Sequence, residues 1–289
     1  MNRYFLLVVI ASFFSINHLR GQSGRENLKE KIDTTHLDFK VLAANITGEE
    51  KDNYKRAELL LNWLTNRLEW KATDYKRRTV KEIIARGGGN CFELANVYIA
   101  LVKASGIQYR SITEINIQPL SERRQKNAEA RVAADGFRSS VFGLQHNDHR
   151  WIEIYDEKTK NWQPADPSMN VIGTGQWLKA RAWFGQRITI DTAITNAMIV
   201  PFAVFVVEAN SLGENRTHHY LVNEFNKLYN YQLSSLTPWQ EWVNAVNELQ
   251  LPARNAFENK ENLHLYKDKI AALAKIYQQL KETYLKKFP

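Results

Sequence analysis

The sequence predicts an α+β fold in which a helix bearing the chain's single cysteine packs on an antiparallel sheet, followed by a helical C-terminal region. Three observations predict it. Apolar residues recur at helical spacing from Ala57 to Val102, the period changes to two at His149, and it turns helical again beyond Asn210. With 289 residues, 44% of them hydrophobic and 24% charged, the chain can bury a core of its own. That composition excludes a disordered chain, a collagen-like fibre and a multi-span membrane protein. One cysteine excludes an intrachain disulfide framework and a multi-cysteine zinc site.

Residues 1–22 begin with Arg3, continue through a largely apolar 12-residue stretch from Phe5 to Ile16 and end in a polar stretch. This pattern predicts a secretory signal peptide, since a spanning helix needs about 20 apolar residues. The expected organisation is therefore a signal peptide (1–22), an α+β core with its N-terminal helices (23–209) and a helical region (210–289). The mature protein is expected in the periplasm or outside the cell, with no stable membrane insertion after cleavage. Removing Arg3 and Arg20 from a net charge of +8 leaves +6. The basic clusters at Lys76-Arg77-Arg78, Arg123-Arg124 and Lys286-Lys287 are not interleaved with aromatics, so no nucleic-acid partner is expected.

Thr47-Gly48-Glu49-Glu50 has the spacing of a capping box, and Ala57, Leu60, Leu61, Leu64 and Leu68 then mark one helical face. A second box, Thr79-Val80-Lys81-Glu82, opens a short helix that stops at Gly87. Asn90 caps a third helix running to Gly106, with Leu94, Tyr98, Leu101 and Val102 buried. Residues 121–145 are polar and irregular, as expected of a loop over a cleft. Residues 149–155 and 161–166 predict a β-hairpin joined by a polar loop, and residues 187–190 and 199–207 predict two further strands. In the last region Thr237-Pro238-Trp239-Gln240 predicts a capped helix start. Tyr266, Ile270, Leu273, Tyr277, Leu280 and Tyr284 form a stripe expected to pack on the chain's own domain.

The chemistry centres on Gly87-Gly88-Gly89-Asn90-Cys91. The glycines permit a sharp turn, and a cysteine in the first turn of a helix faces unpaired N–H groups that favour a thiolate. No G-K-[ST] follows and no G-x-G-x-x-G is present, which excludes the common phosphate-binding loops. A thiolate nucleophile needs a proton carrier and a group to orient that carrier. The hairpin offers both. With a two-residue turn at Glu157-Lys158, His149 lies opposite Asp166; with a four-residue loop the two are diagonal neighbours on the same face. Trp151 and Trp162 share that face as cleft candidates, and Asn90 at the helix start is a third candidate. The two histidines and the aspartate of His146-Asn147-Asp148-His149 sit too close along the backbone to close a metal site readily, so neither a metal nor another cofactor is expected.

Gly88-Gly89-Asn90-Cys91-Phe92-Glu93, then His149-Arg150-Trp151-Ile152-Glu153, then Asn161-Trp162-Gln163-Pro164-Ala165-Asp166-Pro167-Ser168 together resemble the transglutaminase-like superfamily core. The resemblance runs from about residue 59 to residue 168. It implies a papain-like α+β fold with Cys91 as nucleophile, His149 as general base and then acid, and Asp166 as the orienting carboxylate. The expected function is an exported cysteine enzyme of the protease, deamidase or transglutaminase type, acting on a protein, peptide or glycopeptide amide. A non-catalytic binding module of the cell envelope with the same fold is the alternative.

Overall fold

The computed structural model describes residues 32–74, 76–117, 148–185, 200–209, 211–258 and 260–288, with a few residues between 126 and 134. The expected signal peptide, the strand expected at 187–190, most of the 121–145 segment and His146-Asn147 lie outside the described residues.

Helix α1 (Phe39–Thr47) is capped by Asp38, whose carboxylate accepts from the N–H groups of Lys40 and Val41, and α2 (Asn53–Thr65) is capped in the same way by Asp52. The predicted box at Thr47 is therefore not a helix start. Thr47 ends α1, its Oγ1 donates to the Ala43 carbonyl (2.9 Å), and Gly48 leaves the helix at φ +54°. The Thr79 box forms as expected and opens α3 (Val80–Ala85). Two short parallel strands, β1 (Glu69–Trp70) and β2 (Gly88–Gly89), flank α3, and α4 (Cys91–Ala104) follows.

A six-stranded sheet of order β6-β5-β4-β3-β7-β8 is antiparallel throughout, with β3 Tyr109–Asn116, β4 Asp148–Asp156, β5 Asn161–Asp166, β6 Val171–Ile172, β7 Pro201–Val207 and β8 Leu212–Asn215. Side chains alternate across it. Ile152, Ile154 and Ala165 face one core with Leu60, Leu64, Leu94, Tyr98 and Leu101 from α2 and α4. Trp151, Ile112 and Phe205 belong to a second core, completed by α5 (Thr174–Arg181) and the C-terminal helices. Those begin with a π-helical turn (His219–Glu224) running into α6 (Phe225–Leu228). They continue through α7 (Thr237–Glu248), α8 (Gln250–Phe257) and α9 (Lys267–Lys287).

Ile270, Leu273, Tyr277 and Leu280 on α9 are buried in this second core, with Tyr266 and Tyr284 partly buried beside it. The stripe thus packs within the chain. The division expected at residue 210 falls between β7 and β8, which are hydrogen-bonded neighbours, so the C-terminal region shares a sheet with what precedes it. At the start of α7 no side chain caps the helix, and Gln240 instead donates to Asn244 Oδ1 (2.9 Å) one turn on.

Candidate active site

The site begins with a backbone constraint. Glu69 pairs with Gly88 and Trp70 with Gly89, and the Lys71 N–H donates to the Gly89 carbonyl (2.8 Å). Gly88 has φ +146°, and a Cβ there would lie 2.0 Å from the Glu69 carbonyl oxygen, so only glycine fits. The turn delivers Asn90 as the cap of α4. Its Oδ1 accepts from the Glu93 N–H (3.0 Å) while Glu93 Oε2 accepts from the Asn90 N–H (3.1 Å), a reciprocal box. Glu93 is itself buried, and its charge is met by Arg78 (2.8 Å) and Arg86 (3.3 Å). Arg78 in turn grips Asp74 with both guanidinium arms (2.8 and 2.5 Å). This chain of charges fixes the loop and leaves Cys91, 9% exposed, as the first residue of α4.

His149 and Asp166 come from neighbouring strands. Ile152 pairs with Ala165 and Asp156 with Asn161, so the connection is the four-residue loop Glu157-Lys158-Thr159-Lys160, with Lys160 at φ +53°. In this register Trp151 falls opposite Asp166, and His149 is the diagonal neighbour. The four-residue alternative is thus the one adopted. Asp156 secures it: its carboxylate accepts from the Lys158 N–H (2.9 Å) and the Thr159 hydroxyl (2.8 Å), an arrangement a two-residue turn could not hold.

His149 Nε2 lies 2.6 Å from Asp166 Oδ2. The other carboxylate oxygen accepts from the Ser168 N–H (3.0 Å) and the Ser168 hydroxyl (2.7 Å). Asp166 is fully buried, and the His149 side chain is 14% exposed. Burial by itself depresses the imidazole pKa. The charge and hydrogen bond of Asp166, joined by a hydrogen bond and charge from Cys91, outweigh burial and hold His149 well above the usual histidine value. With Nε2 on Asp166, Nδ1 is the nitrogen left for the thiol. Cys91, His149 and Asp166 are therefore brought together in that order, a thiol, an imidazole and a buried carboxylate.

Three further expectations land elsewhere. Trp151 shares the His149 face but is fully buried beneath the site. Its Nε1–H donates to Glu114 Oε2 (2.9 Å), Glu114 pairs with buried Arg181, and the indole packs on Trp177 (5.0 Å) and Tyr220 (5.5 Å). It is a floor, not a cleft wall. Trp162 also shares that face, but at the far end of β5. There it packs on Tyr155 (5.4 Å) under the Arg110 guanidinium (4.5 Å), apart from the histidine–aspartate pair. Asn90 is occupied as the cap just described. Among the histidines after β8, His218 is exposed, whereas His219 turns inward and its Nε2 is buried. Burial, aided by Arg216, lowers the His219 pKa.

Sequence reasoning missed Ser168, the Glu93–Arg78–Asp74 chain and the Glu114–Arg181 pair. The first two had a local signal. Asn90 and Glu93 stand at capping-box spacing, and Ser168 follows Asp166 by two residues, the reach of an Asx turn. Glu114 and Arg181 had none, being 67 residues apart. Among the described residues no three of His, Cys, Asp and Glu gather as a metal site, and no helix is long and apolar enough to cross a membrane.

Residues 40–167 match the model of the transglutaminase-like superfamily. No curated protein matches the sequence. Among solved structures, a candidate cysteine protease from Cytophaga hutchinsonii is 19% identical with a TM-score of 0.33, covering 50% of this chain and 47% of its own. A candidate protease from Parabacteroides distasonis is 12% identical with a TM-score of 0.30, covering 45% of this chain and 26% of its own. Rad4–Rad23 bound to a 6-4 photoproduct UV lesion is 11% identical with a TM-score of 0.34, covering 86% of this chain and 52% of its own. The chain thus spans about half the length of two of these structures and about a quarter of the other.

Proposed function

With residues 40–167 forming a transglutaminase-like superfamily core, we propose that the protein is an exported cysteine-dependent acyl-transfer enzyme acting on amide bonds of protein, peptide or glycopeptide substrates. One observation carries this reading: a single imidazole, at the start of β4, bonds to the buried Asp166 (2.6 Å) and feels the charge of the cysteine that opens α4.

In the proposed cycle the Cys91 thiolate attacks the amide carbonyl carbon while His149 holds the thiol proton as imidazolium. The oxyanion forms at the positive end of α4, where the helix dipole and the first-turn N–H groups favour negative charge. Collapse of the tetrahedral intermediate breaks the C–N bond, and His149 gives its proton to the leaving amine. The acyl group stays on sulfur as a thioester. His149, again neutral, then takes a proton from water or from a primary amine, which attacks the thioester and regenerates the thiol. Asp166 acts through orientation and charge, holding the imidazole by Nε2 and favouring its protonated form.

Export is proposed from the signal-peptide pattern of residues 1–22, and with it a periplasmic or extracellular mature enzyme. The test is incubation of the mature protein with peptide and cell-wall extracts, with and without a primary amine, with products weighed by mass spectrometry. A mass gain of one dalton or a cleaved peptide indicates water as acceptor, and an adduct of the amine indicates transfer. Products that persist unchanged in Cys91→Ala would refute the assignment.

A further inference from the structure

Alternation along β4 sends His149 to one face and Arg150 to the other, the face on which α4 packs. There the Arg150 guanidinium lies over the Phe92 ring, 5.2 Å from its centroid, and Phe92 directly follows Cys91. A cation thus stands one residue from the nucleophile and one residue from the base. Its surroundings set it apart from the other arginines near the sheet and the site: Arg78, Arg86, Arg110 and Arg216 each bind a carboxylate. Arg150 has five N–H donors, and among the described residues none meets a carboxylate or carbonyl. Asp148, on the same face, acts on its charge without bonding to it, and Cys91 does likewise. A half-buried guanidinium stacked on an aromatic ring, with no carboxylate in its fork among the described residues, suits a planar carboxylate held by two hydrogen bonds.

On the reading that Cys91 is the nucleophile, we propose that Arg150 is a specificity-determining residue that selects substrates carrying a carboxylate close to the scissile amide. The carboxylate would belong to an acidic side chain or a free C-terminus. In either case a neutral analogue of the same shape would leave the fork unpaired.

The test compares alkylation of Cys91 by iodoacetate and iodoacetamide, nearly isosteric reagents of opposite interest here, each normalised to glutathione. Both attack the same sulfur, so their ratio cancels the intrinsic reactivity of the thiol and reports recognition of the carboxylate. His149 contributes to that ratio in every variant; the Arg150 share is the difference between the wild type and Arg150→Met, which keeps an apolar stem over Phe92. The ratio should exceed that of glutathione in the wild type, fall by about fivefold in Arg150→Met and recover in part in Arg150→Lys. A ratio unchanged in Arg150→Met would overturn the proposal while rapid iodoacetamide labelling left the cysteine-enzyme reading standing. Cys91 reacting no faster than glutathione with both reagents would overturn the two together.

Discussion

Replacing Asp166 with Asn changes one atom and removes one charge, and the structure says what that does. The carboxylate accepts three hydrogen bonds, from His149 Nε2, the Ser168 N–H and the Ser168 hydroxyl, all away from solvent. An amide has one oxygen to offer. If Ser168 keeps it, the Asn NH2 group faces His149 Nε2 and must donate to it. That forces the ring proton onto Nδ1, the nitrogen that should receive the thiol proton. A hydrogen bond to a charged group is worth about 1.5–3 kcal/mol, so losing it from the imidazolium should lower the population of the reactive pair by about 10- to 150-fold. Iodoacetamide labelling at pH 6 measures this directly, and Cys91 in the wild type should react well ahead of glutathione. Turnover of an amide substrate should fall further, toward the ~10⁴-fold seen when a triad carboxylate becomes an amide, because the wrong tautomer also blocks proton transfer. Stability supplies a second readout. The folded His149 pKa lies above its unfolded value, so the native state holds the extra proton in the window between them. The stability this confers is complete below about pH 6.5 and is lost as pH rises through the folded pKa. Denaturant melts should therefore show wild-type stability declining across that window more steeply than Asp166→Asn. Labelling within about twofold of wild type in Asp166→Asn would refute the arrangement. So would an equal loss in Asp156→Asn, whose carboxylate only shapes the hairpin loop.

Ser168→Ala removes one hydrogen bond to the buried carboxylate but keeps the backbone donor, so it should cost about 1.5–3 kcal/mol in urea melts and slow labelling less than Asp166→Asn does. Gly89→Ala places a Cβ 2.5 Å from the Glu93 Cβ, and should lower the melting temperature and Cys91 labelling together; a wild-type labelling rate would show that the loop is not held as described. Ending the chain at residue 209 strips β8 from β7, Tyr220 from Trp151 and Trp177, and Phe257 from Phe205. At about 25 cal/mol per Å² of newly exposed apolar surface the remainder should be molten or insoluble. Light scattering and calorimetry decide that, and a soluble, cooperatively melting fragment would contradict it.

The sequence by itself determined the helix that presents Cys91, the hairpin that carries His149 and Asp166, and the amphipathic stripe of α9. Each depends on signals a few residues long: a cap and its partner three residues on, a period of two, a repeat of three and four. It did not determine the strand register, which waited on whether the turn held two residues or four, and Asp156 settled that by bonding to Lys158 and Thr159. Nor did it reveal β3, whose residues from Ile112 to Asn116 are buried on both faces and so lack the alternation that marks a half-exposed strand. Thr47 had the right spacing for a helix start, yet Asp38 and Asp52 took the caps on either side of it. The buried charges were the least legible. Glu114 with Arg181, and Glu153 with Arg110 and Arg216, join residues from distant segments whose approach only the folded sheet creates. Arg150 shows the division most clearly. In the sequence it is one basic residue among 39, and its setting over Phe92 beside the cysteine exists only because β4 and α4 pack together.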